Sequence, residues 1–216
     1  MASGLNVEIL QFLNSTAVSM FPELQDPTKF NERRFHIIMT LFHKPPGLKK
    51  VYLKESSVHG LGVFAQKDLK AGELITIYPP HYVLYYPQGK EADQNNIEAY
   101  LNDTFSQAKI TPELYDIYSF NVNSYYSFYG DPEIRDPDFL GHMINDGVKS
   151  TDPVEYNKLF LIKNNATPVD VGKFGLTLAI MAIKDIKKDE EILIPYGVEY
   201  WKNIDLGVKS KIIPIK

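Results

Sequence analysis

Two stretches that begin 117 positions apart carry nearly the same text, AQKDLKAGELITIYP at 65–79 and AIKDIKKDEEILIPYG at 182–197. Both run Ala-x-Lys-Asp-aliphatic-Lys, reach Gly72 in one copy and Asp189 in the other, and continue through Glu into an apolar segment ending on Tyr78 or Tyr196. Gly and Asp tolerate the backbone angles of tight turns, so each copy is expected to form a strand, a turn and a return strand that delivers a tyrosine at its end. Copies so far apart cannot stack as consecutive units of a solenoid.

The surrounding text points the same way. KVYLKE (50–55), GVFAQ (62–66), ELITIYP (73–79), KLFLIK (158–163), LTLAIMAI (176–183) and EEILIPYG (190–197) are short, rich in Val, Ile, Leu, Tyr and Phe, and bounded by turn residues, which is the pattern of strands. A mainly β core is predicted. Ahead of it, residues 1–48 hold two apolar-periodic stretches, around Val7 to Phe12 and Phe35 to Phe42, read as helices of an N-terminal extension. The turn-rich HKPPGLKK closes that extension, whose role as packing cap, dimer contact or substrate-orienting element is left open by the sequence.

A chain of 216 residues that is 44% hydrophobic suits one domain. The reading divides it into the extension, a core domain at 49–201 with an insert at 88–138, and a tail at 202–216. No run approaches the roughly 18 uncharged apolar residues of a membrane span, and MASGLNVEIL lacks the basic start and apolar stretch of a signal peptide, so an intracellular protein is expected. The absence of cysteine excludes disulfides and thiolate nucleophiles and removes the usual ligands of structural zinc. His36, His43, His59, His81 and His142 show no metal-site spacing, and no intrinsic metal is expected.

Charge is unevenly spread. Between Gln88 and Asp138 ten acids face three bases, a net of −7 in a chain whose total is −4. Such a segment is a poor platform for nucleic acid, whose affinity comes from Lys and Arg, and it would steer a basic peptide; an ordinary solvated face reads the same way. The insert joins a helix-like part, EADQNNIEAYLNDTFSQAKI, to a part dense in tyrosine, ELYDIYSFNVNSYYSFYGDP. Tyrosines 100, 115, 118, 125, 126 and 129 suit either a recognition surface or half-buried β structure.

Taken in order, HGLGVFAQKDLKAGELITIY, YSF, FLGHMINDG and AIKDIKKDEEILIPYGVEYW resemble the SET-domain family of protein lysine methyltransferases, over roughly residues 50 to 201. The resemblance implies a β-clip-like fold with a C-terminal pseudoknot that brings INDG and PYG together, an arrangement periodicity alone does not reveal. It implies S-adenosylmethionine as cofactor. Gly60 and Gly62 would line its pocket with Leu61 between them, because a side chain at either glycine would occupy space the cofactor needs. Asn145 stands at the family's asparagine position, where an amide donates and accepts at once. Asp146, Gly147 and Val148 replace the family's His, Ser and Cys, which leaves Asp146 a main-chain contact to the cofactor.

Tyr196 matches the tyrosine that closes the family's active site, Tyr118 the tyrosine of the inserted segment, and Tyr78 a further aromatic beside the transfer channel. Methyl transfer from a sulfonium to an amine needs alignment and desolvation rather than a strong acid, which suits tyrosine hydroxyls and main-chain carbonyls. The cysteine-rich C-terminal module of many relatives is absent, so Tyr200 and Trp201 are expected to complete the channel wall, with Trp201 as an anchor of the tail as the other reading. Ile194 occupies the position that often restricts methyl number. Lacking a hydroxyl, it points to di- or trimethylation. The resemblance further implies a basic protein substrate such as a histone tail, no direct nucleic-acid or membrane partner, and a nuclear location or, for a compact form like those of large DNA viruses, a host nucleus or cytoplasm. Against this stands an interaction module that keeps the fold without the chemistry, an alternative favoured by the altered NDGV. A homodimer is compatible with either.

Overall fold

The computed structural model describes residues 48–85, 98–101, 117–121, 126–170 and 178–205. The helices expected near Val7 and Phe35, Tyr115, Tyr125 and the tail beyond 205 lie outside them. Among the described residues ten strands form three small antiparallel sheets. The first holds β1 (Val51–Glu55), β2 (Leu61–Ala65) and β10 (Glu191–Ile192), with β2 in the middle. The second orders β3 (Leu74–Tyr78), β9 (Leu178–Ala182) and β8 (Ala166–Asp170) with β9 central. The third runs β5 (Glu98–Leu101), β4 (Tyr82–Tyr85), β7 (Tyr126–Tyr129) and β6 (Ser119–Asn121). Helix α1 spans Pro153–Lys163 and α2 spans Val198–Asp205, and a short 3-10 helix covers Gly141–Met143. A mainly β architecture with two helices is the result, as expected.

The echo is resolved in an unexpected way. Neither copy folds back on itself: β2 and β3 lie in different sheets, as do β9 and β10, and each copy's second strand pairs with the other copy's first. Around the pair Leu69 and Ile186, which exchange both main-chain hydrogen bonds at 2.8 and 2.9 Å, the contacts repeat with local two-fold symmetry. Ala65 N donates to Glu190 O and Ala182 N to Glu73 O, while Asp189 N donates to Ala65 O and Gly72 N to Ala182 O. Lys70 reaches Asp185 and Lys187 reaches Asp68 at 2.7 and 3.3 Å, both on the surface. The two turn residues share the left-handed region, Gly72 at φ 81° and Asp189 at φ 66°, which explains why only Gly and Asp occur there. A hairpin is the local solution to strand–turn–strand text; exchange between copies buries both apolar strands in one core and wins.

That core gathers Val63, Ile75, Leu140, Ile144, Ile180 and Ile192, with Tyr118 and Tyr196 packed against its edge. Two further expectations are corrected. KLFLIK is the end of helix α1: Asp152 caps it by accepting from Val154 N at 2.7 Å, Pro153 occupies the first turn, and Leu161 and Ile162 face solvent. Asp-Pro ahead of an acidic first turn is a helix start, and it outweighs the apolar run. Within the helix-like 91–110, Glu98–Leu101 pair as a strand with β4, tertiary pairing overriding a helical preference. β8 carries Pro168, tolerated because β8 is an edge strand. Among the described residues no helix is long and apolar enough to cross a membrane.

Candidate active site

Two separated segments meet at the end of β10. Asn145 and Leu193 form a parallel bridge, and Ile194 N donates to Asn145 O at 3.0 Å, which lays Ile144–Asp146 beside Ile194–Tyr196. Tyr196 is held from both sides of that junction. Its hydroxyl donates to Ile144 O at 2.5 Å and its N–H donates to the Asp146 carboxylate at 2.9 Å.

Asn145 turns toward the glycine loop. Its Nδ2 lies 3.0 Å from His59 O, 3.1 Å from Leu61 O and 3.1 Å from Glu191 Oε1, so one amide ties the Gly60–Gly62 backbone to both strands beneath it. The two glycines serve different ends. Gly60 sits at φ +46°, and a Cβ there would meet nothing within 4 Å, so the backbone angle alone demands glycine and the loop's outer face is bare main chain. That face leaves room for a group to lie directly against the backbone. At Gly62 a Cβ would stand 2.2 Å from Glu191 Oε1 and 2.9 Å from Ser56 Cβ, so the protein's own packing already requires glycine there.

Four of the expected tyrosines converge. The charge on Tyr200, Tyr118 or Tyr78 would be felt at Tyr196, and burial is the foremost reason the Tyr196 phenol stays protonated well above the usual tyrosine range. Burial pushes Tyr78, Tyr118 and Tyr200 upward too. Each is therefore a neutral hydroxyl able to donate one hydrogen bond and accept others. The Tyr78 hydroxyl donates to Tyr118 O, the same carbonyl that accepts Gly130 N at 3.1 Å, and this fixes the segment leading into β6 against β3. Tyr200 meets the Tyr196 ring edge-on with centroids 4.6 Å apart, and Trp201 lies nearly parallel to Tyr196 at 6.1 Å. Helix α2 thus walls one side of the cluster, and the Trp201 indole N–H is anchored on Asp146 at 3.0 Å. Ile194 is buried within the core beneath Tyr196, 5% exposed.

The Asp146 side chain is consumed internally. Oδ2 accepts from the Tyr156 hydroxyl, Tyr196 N and Trp201 Nε1, and Oδ1 accepts from Val148 N and Asn164 Nδ2. Gly147 N donates to Asn164 Oδ1, completing the link from this loop to the C-terminal cap of α1.

Sequence reading missed Glu191, Ser56 and Tyr156. Glu191 accepts from Ser56 Oγ at 2.7 Å while it receives Asn145. A signal was present, since Glu191 is a position where the two echoed copies diverge: its twin is the core residue Leu74. Tyr156 went unseen because it lies two residues ahead of KLFLIK, which was read as a strand, so the helix that carries it was not foreseen. Among the described residues no group of three or more His, Asp or Glu is placed to hold a metal ion.

A sequence profile of the SET domain matches residues 60–197. Among solved structures, a Plasmodium falciparum protein provisionally named a histone methyltransferase is similar at 22% identity with a TM-score of 0.38, over 70% of this chain and 96% of that one. A search of curated proteins gives no match. The profile opens on Gly60 and closes on Gly197, one residue past Tyr196, so it spans the glycine loop, the Asn145 junction and Tyr196 alike. The chain belongs to the SET-domain family, whose members are in general protein lysine methyltransferases.

Proposed function

We propose that this protein transfers methyl groups from S-adenosylmethionine to the ε-amine of a lysine in a basic protein, a histone tail being the substrate its acidic insert best suits. The observation that carries the reading is the arrangement around Tyr196: a partly buried, neutral phenol ringed by Tyr78, Tyr118 and Tyr200 and tied to the carbonyl of Ile144, the neighbour of the asparagine that holds the Gly60 loop. The cofactor would supply an electrophilic methyl on a cationic sulfur. The bare backbone at Gly60 and the Asn145-held carbonyls of His59 and Leu61 would bind and orient it.

The chain's own part in catalysis is positioning. A phenol that already donates to Ile144 O presents its lone pairs outward, where they accept from an incoming amine N–H and aim the nitrogen lone pair at the methyl. Aromatic walls from Tyr78, Tyr118 and Tyr200 exclude water and favour the uncharged amine, whose proton leaves to solvent before attack. Ile194 brings no hydroxyl to retain a water beside the amine, which supports di- or trimethylation.

A radiolabelled transfer assay against histones and a basic proteome extract tests this, with Tyr196→Phe as control. The variant loses one hydroxyl and one hydrogen bond, about 1 kcal/mol of stability, and turnover is expected to fall at least about tenfold. Transfer that is unaffected by the substitution, or tight cofactor binding without transfer to any basic protein, would overturn the reading, the latter in favour of an interaction module.

A further inference from the structure

Asp146 is 3% exposed, yet its carboxylate collects five donors from four parts of the chain. Tyr156 belongs to α1, Trp201 to α2, Tyr196 to the segment between β10 and α2, and Val148 and Asn164 brace the loop that carries Asp146 itself. All five donors are neutral groups. A buried carboxylate without a cationic partner costs stability, so what it holds in place has to account for its presence. Three of its bonds converge on one oxygen, at 2.7 Å from the Tyr156 hydroxyl, 2.9 Å from Tyr196 N and 3.0 Å from Trp201 Nε1. The Tyr156 hydroxyl in turn accepts Gly197 N at 2.8 Å, the residue that turns the chain from Tyr196 into α2 at φ +90°.

We infer that Asp146 is the positioning residue of this site: its side chain sets the Tyr196 backbone and latches helix α2 through Trp201, so that Tyr200 closes the tyrosine cluster without any metal-bound module. The inference rests on the methyltransferase reading for its kinetic consequence and on geometry alone for the latch. Acting at the backbone of Tyr196 and on the wall, Asp146 governs the transfer step. Donor binding is left to the Gly60 loop, which Asn145 and Glu191 hold independently.

Trp201 is the sole tryptophan, which makes the latch directly readable. In the wild-type protein the single indole N–H signal in a nitrogen-edited NMR spectrum is expected to exchange slowly with solvent. In Asp146→Asn, where an amide NH₂ must face two or three donors, the signal should shift and exchange at least about tenfold faster, and tryptophan emission should move to the red. Trp201→Phe removes the donor and part of the indole's ring area while keeping an aromatic ring beside Tyr196. It should fold as the wild type does and lower kcat at saturating S-adenosylmethionine by about tenfold, with the Kd for S-adenosylmethionine within about twofold. The double variant should be no slower than Asp146→Asn alone, the signature of residues acting as one unit.

Fast exchange in the wild type, an unmoved indole signal in Asp146→Asn, or weakened S-adenosylmethionine binding with kcat retained would overturn the inference. Should the wild type transfer no methyl to any substrate, the function proposed above fails, while the indole exchange still decides for or against the latch.

Discussion

The two glycines flanking Leu61 respond to the same substitution for different reasons, and the difference can be measured. Alanine at position 60 has to adopt φ +46° but meets no atom within 4 Å, so its cost is the left-handed conformation itself, about 1 kcal/mol. At position 62 the new methyl would stand 2.2 Å from Glu191 Oε1. The carboxylate must swing away, and it then loses its hydrogen bonds to Ser56 Oγ at 2.7 Å and Asn145 Nδ2 at 3.1 Å. Hydrogen bonds to a charged group are worth about 1.5 to 3 kcal/mol each, and Glu191 is only half-buried, so water restores part of that; the expected loss is about 3 kcal/mol. Urea unfolding followed by circular dichroism reads both as a shift in midpoint at constant slope. Removing the nearer obstruction beforehand sharpens the test: in a Glu191→Ala background Gly62→Ala still meets Ser56 Cβ at 2.9 Å but should cost clearly less than in the wild type, so the pair is non-additive. Equal losses at 60 and 62, or a Gly62→Ala protein as stable as the wild type that fails only to bind S-adenosylmethionine, would refute the packing argument.

Three further outcomes follow from the same geometry. Asn145→Ala releases the carbonyls of His59 and Leu61, and calorimetry should show S-adenosylmethionine binding weakened by about 1 to 3 kcal/mol. His142 and His81 stack edge-to-face at 5.1 Å, and burial drives both imidazoles down, to about 3 and about 4, with His81's own charge adding to the effect on His142. Below the unfolded value of 6.5 the unfolded chain takes up protons that the folded one refuses, so stability is complete above that pH and drains away as pH falls from 6.5 toward 4. A loss on the order of 3 to 5 kcal/mol between pH 7 and 4.5 is expected in urea titrations, flattened in His142→Gln; a flat wild-type profile above pH 5 would contradict it. Ile194→Tyr, which adds a hydroxyl at a core position, should shift products toward monomethyl-lysine by mass spectrometry while costing about 1 to 3 kcal/mol of stability through overpacking.

Much of this molecule could be read from residues alone, and the gaps have physical causes. β1, β2, β3 and β9 fall where short β-branched and aromatic runs lie between turn residues. β10 shrinks to two residues because beyond Ile192 the chain hydrogen-bonds with Asn145 and Asn165 instead of a sheet partner. The third sheet was only partly legible: the tyrosine-dense stretch that holds β6 and β7 was open to half-buried β structure, but β4 was not singled out and β5 lay in text that reads as helix. Tyr78, Tyr118 and Tyr196 were recognisable through a family likeness, since nothing in their spacing says that they meet. Asp146 shows the limit most clearly: its position was known, but five hydrogen bonds contributed from both helices and two loops are a property of the folded chain, and single-position reasoning saw only a departure from pattern.

The reciprocal pairing around Leu69 and Ile186 closes the base of a loop more than a hundred residues long, like a clasp. Tyr118 and the acidic stretch both fall within that loop in the sequence. Lengthening such a loop is inexpensive, about 0.6 kcal/mol for each doubling, so the enclosed segments can change length while the clasp and Tyr196 stay put. Synthesis pays for this arrangement in time: β1 can pair with β2 at once, but β3 has no mate until β9 emerges and β2 lacks its second neighbour until Ile192 does, so the clasp closes late.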